Sequence, residues 1–482
     1  MGRACLIAFA SSIALLSTGT ASANGRYPLS NALLFSPADP NFIFFRGTYG
    51  MGVSHDNGKS WQFLCEENIG LPADYSPQDP SIALTMSAVV AGNFAPITGL
   101  NVSTDQGCNW SCVQGDLLDQ PVADVTVRPD APHTVLAVVS AAIDGGTGVV
   151  TQVYQSTDDG ATWAPLGQRV DPTMAWTINS LEVSKSDPNR IYVTAWKGFV
   201  STSRTVALFV STDMGQTWTP RDIPSTMFDN TQEQYVWLGG VDPTDADRVY
   251  LRSNVDPGVG GTSKLYVTAN AGQSFAVAKS FDLAETSMTL TLGEILGFAL
   301  SPDGSKIYLG SSQGGLYVAD RATPTIFEQT SPINIHCLST RPAPGGGTEL
   351  WICGDAPTSV HVGPQFTVGV STDDGAHIQP LMRSNSDFCG AAACTAGTTF
   401  GCHSQVNGSQ CPATYAGWCD QNNDVLFPCN TCHPDPGHPA SGSCSCSTVG
   451  SGKISAGAAA LGLAVCGLVG ARWQSRRKRR RP

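Results

Sequence analysis

Glu233 and Glu294 are carboxylates that can serve as the acid and base of glycoside hydrolysis, a reaction that needs two such groups across a cleft. Arg46 and Arg252 close two similar apolar phrases, FIFFRG and RVYLRS, and a guanidinium at either place can grip a carboxylate through two hydrogen bonds. Trp176, Trp196, Tyr235 and Trp237 stand close to these charges in the chain and suit a carbohydrate or a peptide, with packing between strands as the competing use of large aromatics. Cys429-Asn430-Thr431-Cys432-His433 fits C-x-x-C-H, the attachment signature of a c-type haem with His433 as axial ligand. Cysteines crowd the same stretch, so a disulfide module is the expectation there and covalent haem the alternative. No metal site is expected, because turns already account for the Asp-rich phrases.

Any of these groups must be held by the elements around them, and one nine-residue phrase organises most of the chain. It reads VSHDNGKSW at 53–61, VSTDQGCNW at 102–110, QSTDDGATW at 155–163 and VSTDMGQTW at 210–218. Weaker copies follow as VTANAGQSF at 267–275 and VSTDDGAHI at 370–378, and YVADRATPTIF at 317–327 stands where another belongs. Each unit opens on an apolar run, a Pro/Asp turn and a second apolar run, as in LEVSKSDPNRIYV and GGVDPTDADRVYL. The unit is therefore four strands, with no helical periodicity between them, and seven units make a seven-bladed β-propeller. In each phrase the aspartate (Asp56, Asp105, Asp158, Asp213, Asp373) is read as a turn device that accepts backbone N–H groups two residues on. The glycine two places later supplies positive φ, and the aromatic packs toward the neighbouring blade.

S/T-x-D-x-G-x-T-W resembles the Asp-box or BNR repeat of sialidases, xyloglucanases, sortilin-type receptors and a photosystem assembly propeller. The resemblance spans about Leu33 to Met382 and implies fold more than function, since those relatives include hydrolases, receptors and assembly factors. It implies that the box turns and Pro/Asp turns share one rim and that ligands meet the other. That opposite rim would hold Met174, Trp176, Glu233, Tyr235, Trp237 and Glu294 near the starts of first strands. Arg46, Trp196, Arg204, Arg252 and His361 would lie at or after the ends of second strands. A sialidase also needs an arginine triad, a Tyr/Glu nucleophile pair and an F-R-I-P phrase. Phe45-Arg46-Gly47-Thr48 departs from that phrase at its third and fourth places. Glu233, Glu294 and Tyr235 are the catalytic candidates this leaves.

The ends of the chain read as targeting. Met1 to Ala23 carries Arg3, an apolar run and Ala21-Ser22-Ala23, the form of a cleaved secretory signal. Ile454 to Ala471 is weakly apolar and is followed by seven basic residues from Arg472 to Arg481. Arg3, Lys453 and those seven are nine of the 27 basic residues, which leaves 18 against 39 acidic ones in the exported body and excludes nucleic acid as a partner. Cys444-Ser445-Cys446, a Gly/Ser stretch, the apolar run and the Arg cluster resemble the myxobacterial C-terminal sorting signal. That resemblance implies a sorting protease, display on the outer cell surface and membrane contact through the tail, with an ordinary single-span anchor as the alternative.

The sequence thus predicts an all-β chain in four parts: a signal peptide over 1–23, an Asp-box propeller over 24–383, a cysteine-rich module over 384–447 and a tail over 448–482. Cys337 and Cys353 are expected to pair across neighbouring strands of the last blade, while Cys65, Cys108 and Cys112 leave one partner open. The function expected is non-enzymatic binding of a glycan, peptide or envelope component, with a divergent sialidase-like glycoside hydrolase as the alternative.

Overall fold

A computed structural model describes residues 30–47, 50–64, 80–94, 98–143, 148–198, 204–228, 233–255, 261–283, 294–312, 314–354, 366–383 and 388–391. They form seven sheets, each built on four antiparallel strands consecutive in the chain, and among them only Gly115–Leu117 and Ser225–Met227 are helical turns. Blade one lies within 30–64, blade two within 81–112, blade three within 122–165 and blade four within 177–222. Blade five lies within 233–283, blade six within 295–331 and blade seven within 335–382. The chain is an all-β, seven-bladed propeller.

The second strand of every blade is apolar on both faces because it is sandwiched between two neighbours. Alternation along it decides which neighbour each side chain meets. In blade two, Val89 and Ala91 join the cluster shared with Phe44 and Leu64 of blade one, while Val90 joins Val122 and Val125 of blade three. The core is thus a ring of seven seams. Each fully buried Val, Leu, Ile or Phe in a seam contributes about 1.5–3 kcal/mol.

The repeated turns are built alike. In blade one the Ser54 hydroxyl accepts the Gly58 N–H at 2.8 Å and donates to Asp56 Oδ1 at 2.9 Å. Asp56 in turn accepts the Ser60 N–H at 2.8 Å, and the Trp61 indole donates to the Gly58 carbonyl at 3.1 Å. The aspartate therefore closes four residues on, and the serine before it satisfies the glycine amide. The expectation of a bond two residues on assigned the wrong acceptor. The residue between Asp and Gly is also left-handed, with φ of 62° at Asn57, 56° at Asp159 and 54° at Met214, which Gly alone was expected to supply. These bonds favour the ionised carboxylate: the His377 N–H and ring hold Asp373 down at about 2, and Thr217 lowers Asp213 likewise.

Each turn glycine presses on the preceding blade. A Cβ on Gly375 would meet Leu316 Cδ2 of blade six at 2.1 Å, and one on Gly58 would meet Trp351 of blade seven at 3.0 Å. That last contact closes the ring. Arg341 of blade seven reinforces it by donating to Glu349 at 2.6 Å, to the Pro40 carbonyl at 2.9 Å and to Asn57, with its guanidinium over Phe35 and Trp351. Ser339 of blade seven donates to the Leu33 carbonyl of blade one at 2.6 Å. After blade seven, Phe388–Ala391 adds a fifth, parallel strand outside Trp61–Leu64 of blade one.

Cys337 and Cys353 face each other in register and are joined by a disulfide. Cys108 and Cys112 are disulfide-bonded as well. The signal peptide, Cys65, His361, the cysteine-rich stretch with Cys429, Cys432 and His433, the sorting cysteines Cys444 and Cys446 and the apolar tail all lie outside the described residues. Among the described residues no helix is long and apolar enough to cross a membrane.

Candidate functional site

The rim that carries the repeated turns spends its polar groups on neighbouring blades. Arg190 of blade four meets Asp247 of blade five at 2.5 Å, and Tyr192 donates to the Ala246 carbonyl at 2.5 Å. Arg321 of blade six binds Asp242 and, at 3.2 Å, Asp245 of blade five, while Tyr308 of blade six donates to Asp374 of blade seven at 2.5 Å. A second set of charged groups lies on the blades' first and second strands, around the central channel.

Five charged side chains line that channel. Asp124, on the first strand of blade three (Val122–Val127), accepts from Ser81 of blade two at 2.5 Å and from the Leu181 N–H of blade four at 2.9 Å. It therefore ties three blades together. Burial nevertheless raises its pKa above the ordinary carboxylate value, against the pull of those bonds and of Arg46. Glu182, on the first strand of blade four (Thr177–Val183), is pushed up to about 8 by burial, with the Asp124 charge adding to the rise. Glu294, just before the first strand of blade six (Ile295–Leu300), is pushed up to about 7 by burial, opposed by Arg252. All five side chains are half-buried.

The two arginines hold equivalent places, each fourth along its blade's second strand. Arg46 donates to the Pro80 carbonyl of blade two, and Arg252 donates to Leu296 and Ile295 carbonyls of blade six at 2.5 and 3.3 Å. In both the Nε is buried without a hydrogen-bond partner. Burial lowers the Arg252 pKa, Glu294 opposes that, and Arg46 is close enough to lower it further. Glu182, Asp124, Arg46, Arg252 and Glu294 thus form one electrostatic chain, with two carboxyl groups able to exchange a proton near neutral pH.

Beside this chain lies an aromatic cluster. Trp196 meets Tyr235 edge to face at 6.2 Å, and Tyr235 meets Trp237 at 5.6 Å. The Arg204 guanidinium covers the faces of Trp196 at 4.1 Å and Tyr235 at 4.5 Å. Trp237 pairs in register with Arg252, so the cluster runs into the channel. Trp176 is separate: it is 5% exposed, stacks edge to face on Phe209 at 5.3 Å and has the Lys197 ammonium over its ring. It is a core residue between blades three and four. Glu233 begins the first strand of blade five, and its side chain lies outside the described atoms.

Asp124 and Glu182 went unnoticed in the sequence. Their signal was a lone charged residue within a blade's first strand, in VADVTV and TINSLEV. Among the described residues no group of three His, Cys, Asp or Glu side chains converges as metal ligands would.

Neither a protein-family model nor a curated protein matches the chain. Solved structures do. YCF48 from Cyanidioschyzon merolae aligns with 69% of this chain and 94% of its own at 14% identity and a TM-score of 0.43. An ancestral GH74 enzyme aligns with 69% of this chain and 44% of its own at 15% identity and a TM-score of 0.44. YCF48 bound to D1 peptide aligns with 68% of this chain and 92% of its own at 16% identity and a TM-score of 0.39. At these identities the seven-bladed assignment stands on the strand order itself.

Proposed function

We propose that this chain is an exported, surface-displayed propeller of the Asp-box kind that binds an extended peptide on the rim opposite its turns and does not cleave it. The observation that carries this reading is the cluster of Trp196, Arg204, Tyr235 and Trp237 running into Arg252 and Glu294. A sugar ring needs an open aromatic face, and Arg204 already covers two of the three rings. Peptide groups use ring edges, guanidinium donors and carboxyl groups instead, which favours a peptide over a glycan. The signal-like N-terminus and the tail that resembles a sorting signal support display of this rim outside the cell, with the cysteine-rich stretch serving as its stalk. The reading needs no cofactor.

A glycoside hydrolase is the second reading, favoured by one observation: Glu182 at about 8 and Glu294 at about 7 can hold protons at neutral pH as a general acid must. A peptide array and a fluorogenic glycoside panel separate the two. Peptide binding lost in Trp237→Ala with no turnover supports the first. Turnover lost in Glu294→Gln replaces it with the second.

A further inference from the structure

The outermost strand of a propeller blade has one unpaired edge, and proteins protect such edges with proline, charge or brevity. This chain does so by rule. Two residues after the last position of the turn phrase, which is Trp163, Trp218 or Ile378, stand Pro165 in blade three, Pro220 in blade four and Pro380 in blade seven. Their cross-strand partners are Tyr154, Phe209 and Gly369. A proline fits there only because its nitrogen faces away from the sheet, so it removes the N–H that an incoming strand would use. Blade two has a two-residue outer strand, Ser111–Cys112, whose cysteine is disulfide-bonded, and blade six has a four-residue one with the exposed Glu328.

Blades one and five break the rule. Phe63 occupies the proline position in blade one, and that edge already accepts a parallel strand, Phe388–Ala391. Val277 occupies it in blade five, opposite Tyr266. Its outer strand, Ala276–Leu283, has eight residues against two to four in the others, and no strand covers it among the described residues. Of the two charged side chains there, Lys279 lies over the Phe281 and Tyr317 rings at 5.4 and 4.7 Å, and the exposed Asp282 stands at the far end of the strand, five residues from Val277. Val277 and Ile326 are two of the three large apolar side chains exposed among the described residues. Their chain neighbours Ala278 and Phe327 pack in one cluster, so both flank the seam of blades five and six.

We propose that the outer edge of blade five is a strand-accepting surface that takes an extended polypeptide from another protein, with an apolar side chain set against Val277 and Ile326. Main-chain hydrogen bonds to the outward N–H and C=O groups of Ala276–Leu283 hold it, as blade one's edge holds Phe388–Ala391. A second copy of the chain is the disfavoured occupant, since the exported body carries 18 basic against 39 acidic residues and repels itself. This surface is independent of the channel rim.

The test selects a displayed library of short random peptides on the full chain and maps each binder by amide exchange. Val277→Pro is the block, with Val277→Lys as a second variant should the proline disturb folding. The expected result is a peptide that slows exchange of the Lys279–Asp282 amides and whose affinity falls by about tenfold or more in both variants. Selection that yields only peptides mapping elsewhere, or affinity unchanged in both variants, overturns the proposal. So does a dimer of wild-type chain in native mass spectrometry that Val277→Lys abolishes, because the edge then belongs to a second copy.

Discussion

Arg341→Ala should open the ring where its last blade meets its first. The side chain is 16% exposed and its partner Glu349 12%, and the guanidinium also donates to Pro40 and Asn57 of blade one. Removing one partner of a buried pair costs about 3–5 kcal/mol, and the residual exposure puts this pair at about 3 kcal/mol. Loss of the cation over Phe35 and Trp351 adds about 0.5–1 kcal/mol. Glu349 also accepts the Trp351 indole N–H at 3.1 Å, so the carboxylate keeps a partner and the larger penalties do not apply. At about 2 °C per kcal/mol for a body of this size, the melting temperature falls by about 7 °C. Arg341→Lys keeps the charge but loses the fork that reaches two blades, and should recover about half of that loss. A double-mutant cycle with Glu349→Ala should return a coupling of about 1–3 kcal/mol. Lys185→Ala, at an exposed position, is the control. If Arg341→Ala melts within about 1 °C of that control, the closure does not depend on this side chain and the reasoning is wrong.

Glu182→Gln should stabilise the fold at high pH. A carboxyl group raised from 4.5 to about 8 on folding costs nothing below about pH 4.5, where both states are protonated, and its penalty grows as pH rises toward 8. The variant should therefore match wild type at pH 4 and melt about 10 °C higher at pH 9 by scanning calorimetry. Replacing both Cys337 and Cys353 by Ser opens a loop whose ends are 16 residues apart and should lower stability by about 3 kcal/mol in urea titration. Trp237→Ala and Arg252→Ala should each weaken peptide binding by about tenfold or more at unchanged melting temperature for Trp237→Ala, read by fluorescence anisotropy.

The repeat was legible because a turn with several simultaneous hydrogen bonds tolerates few residue types. Ser or Thr, Asp or Asn, and Gly recur at fixed offsets in six blades, and blade five keeps the geometry with Thr268, Asn270 and Gly272. Blade six turns by another route, with the Thr323 N–H donating to the Asp320 carbonyl, so its unit showed only through position. That the box turns and Pro/Asp turns share a rim came from the family resemblance, and the Met214 N–H donating to the Asn189 carbonyl joins two such turns directly. What the sequence could not separate was Trp176, which is core, from Trp196, which is half-buried at the rim, because both are tryptophans beside a blade's inner strands. The channel carboxyls escaped for a different reason. Asp124 and Glu182 are 58 residues apart in the chain and belong to different blades, and only ring closure brings their charges together.

Amide exchange of the full chain with a saturating peptide taken from the array tests the central claim most directly. The account predicts slowed exchange at Trp196, Arg204 and Tyr235–Trp237, with the repeated turns at 53–61 and 210–218 unchanged. Protection confined to those turns, with the Trp196 and Tyr235 segments exchanging as in the free protein, would contradict it.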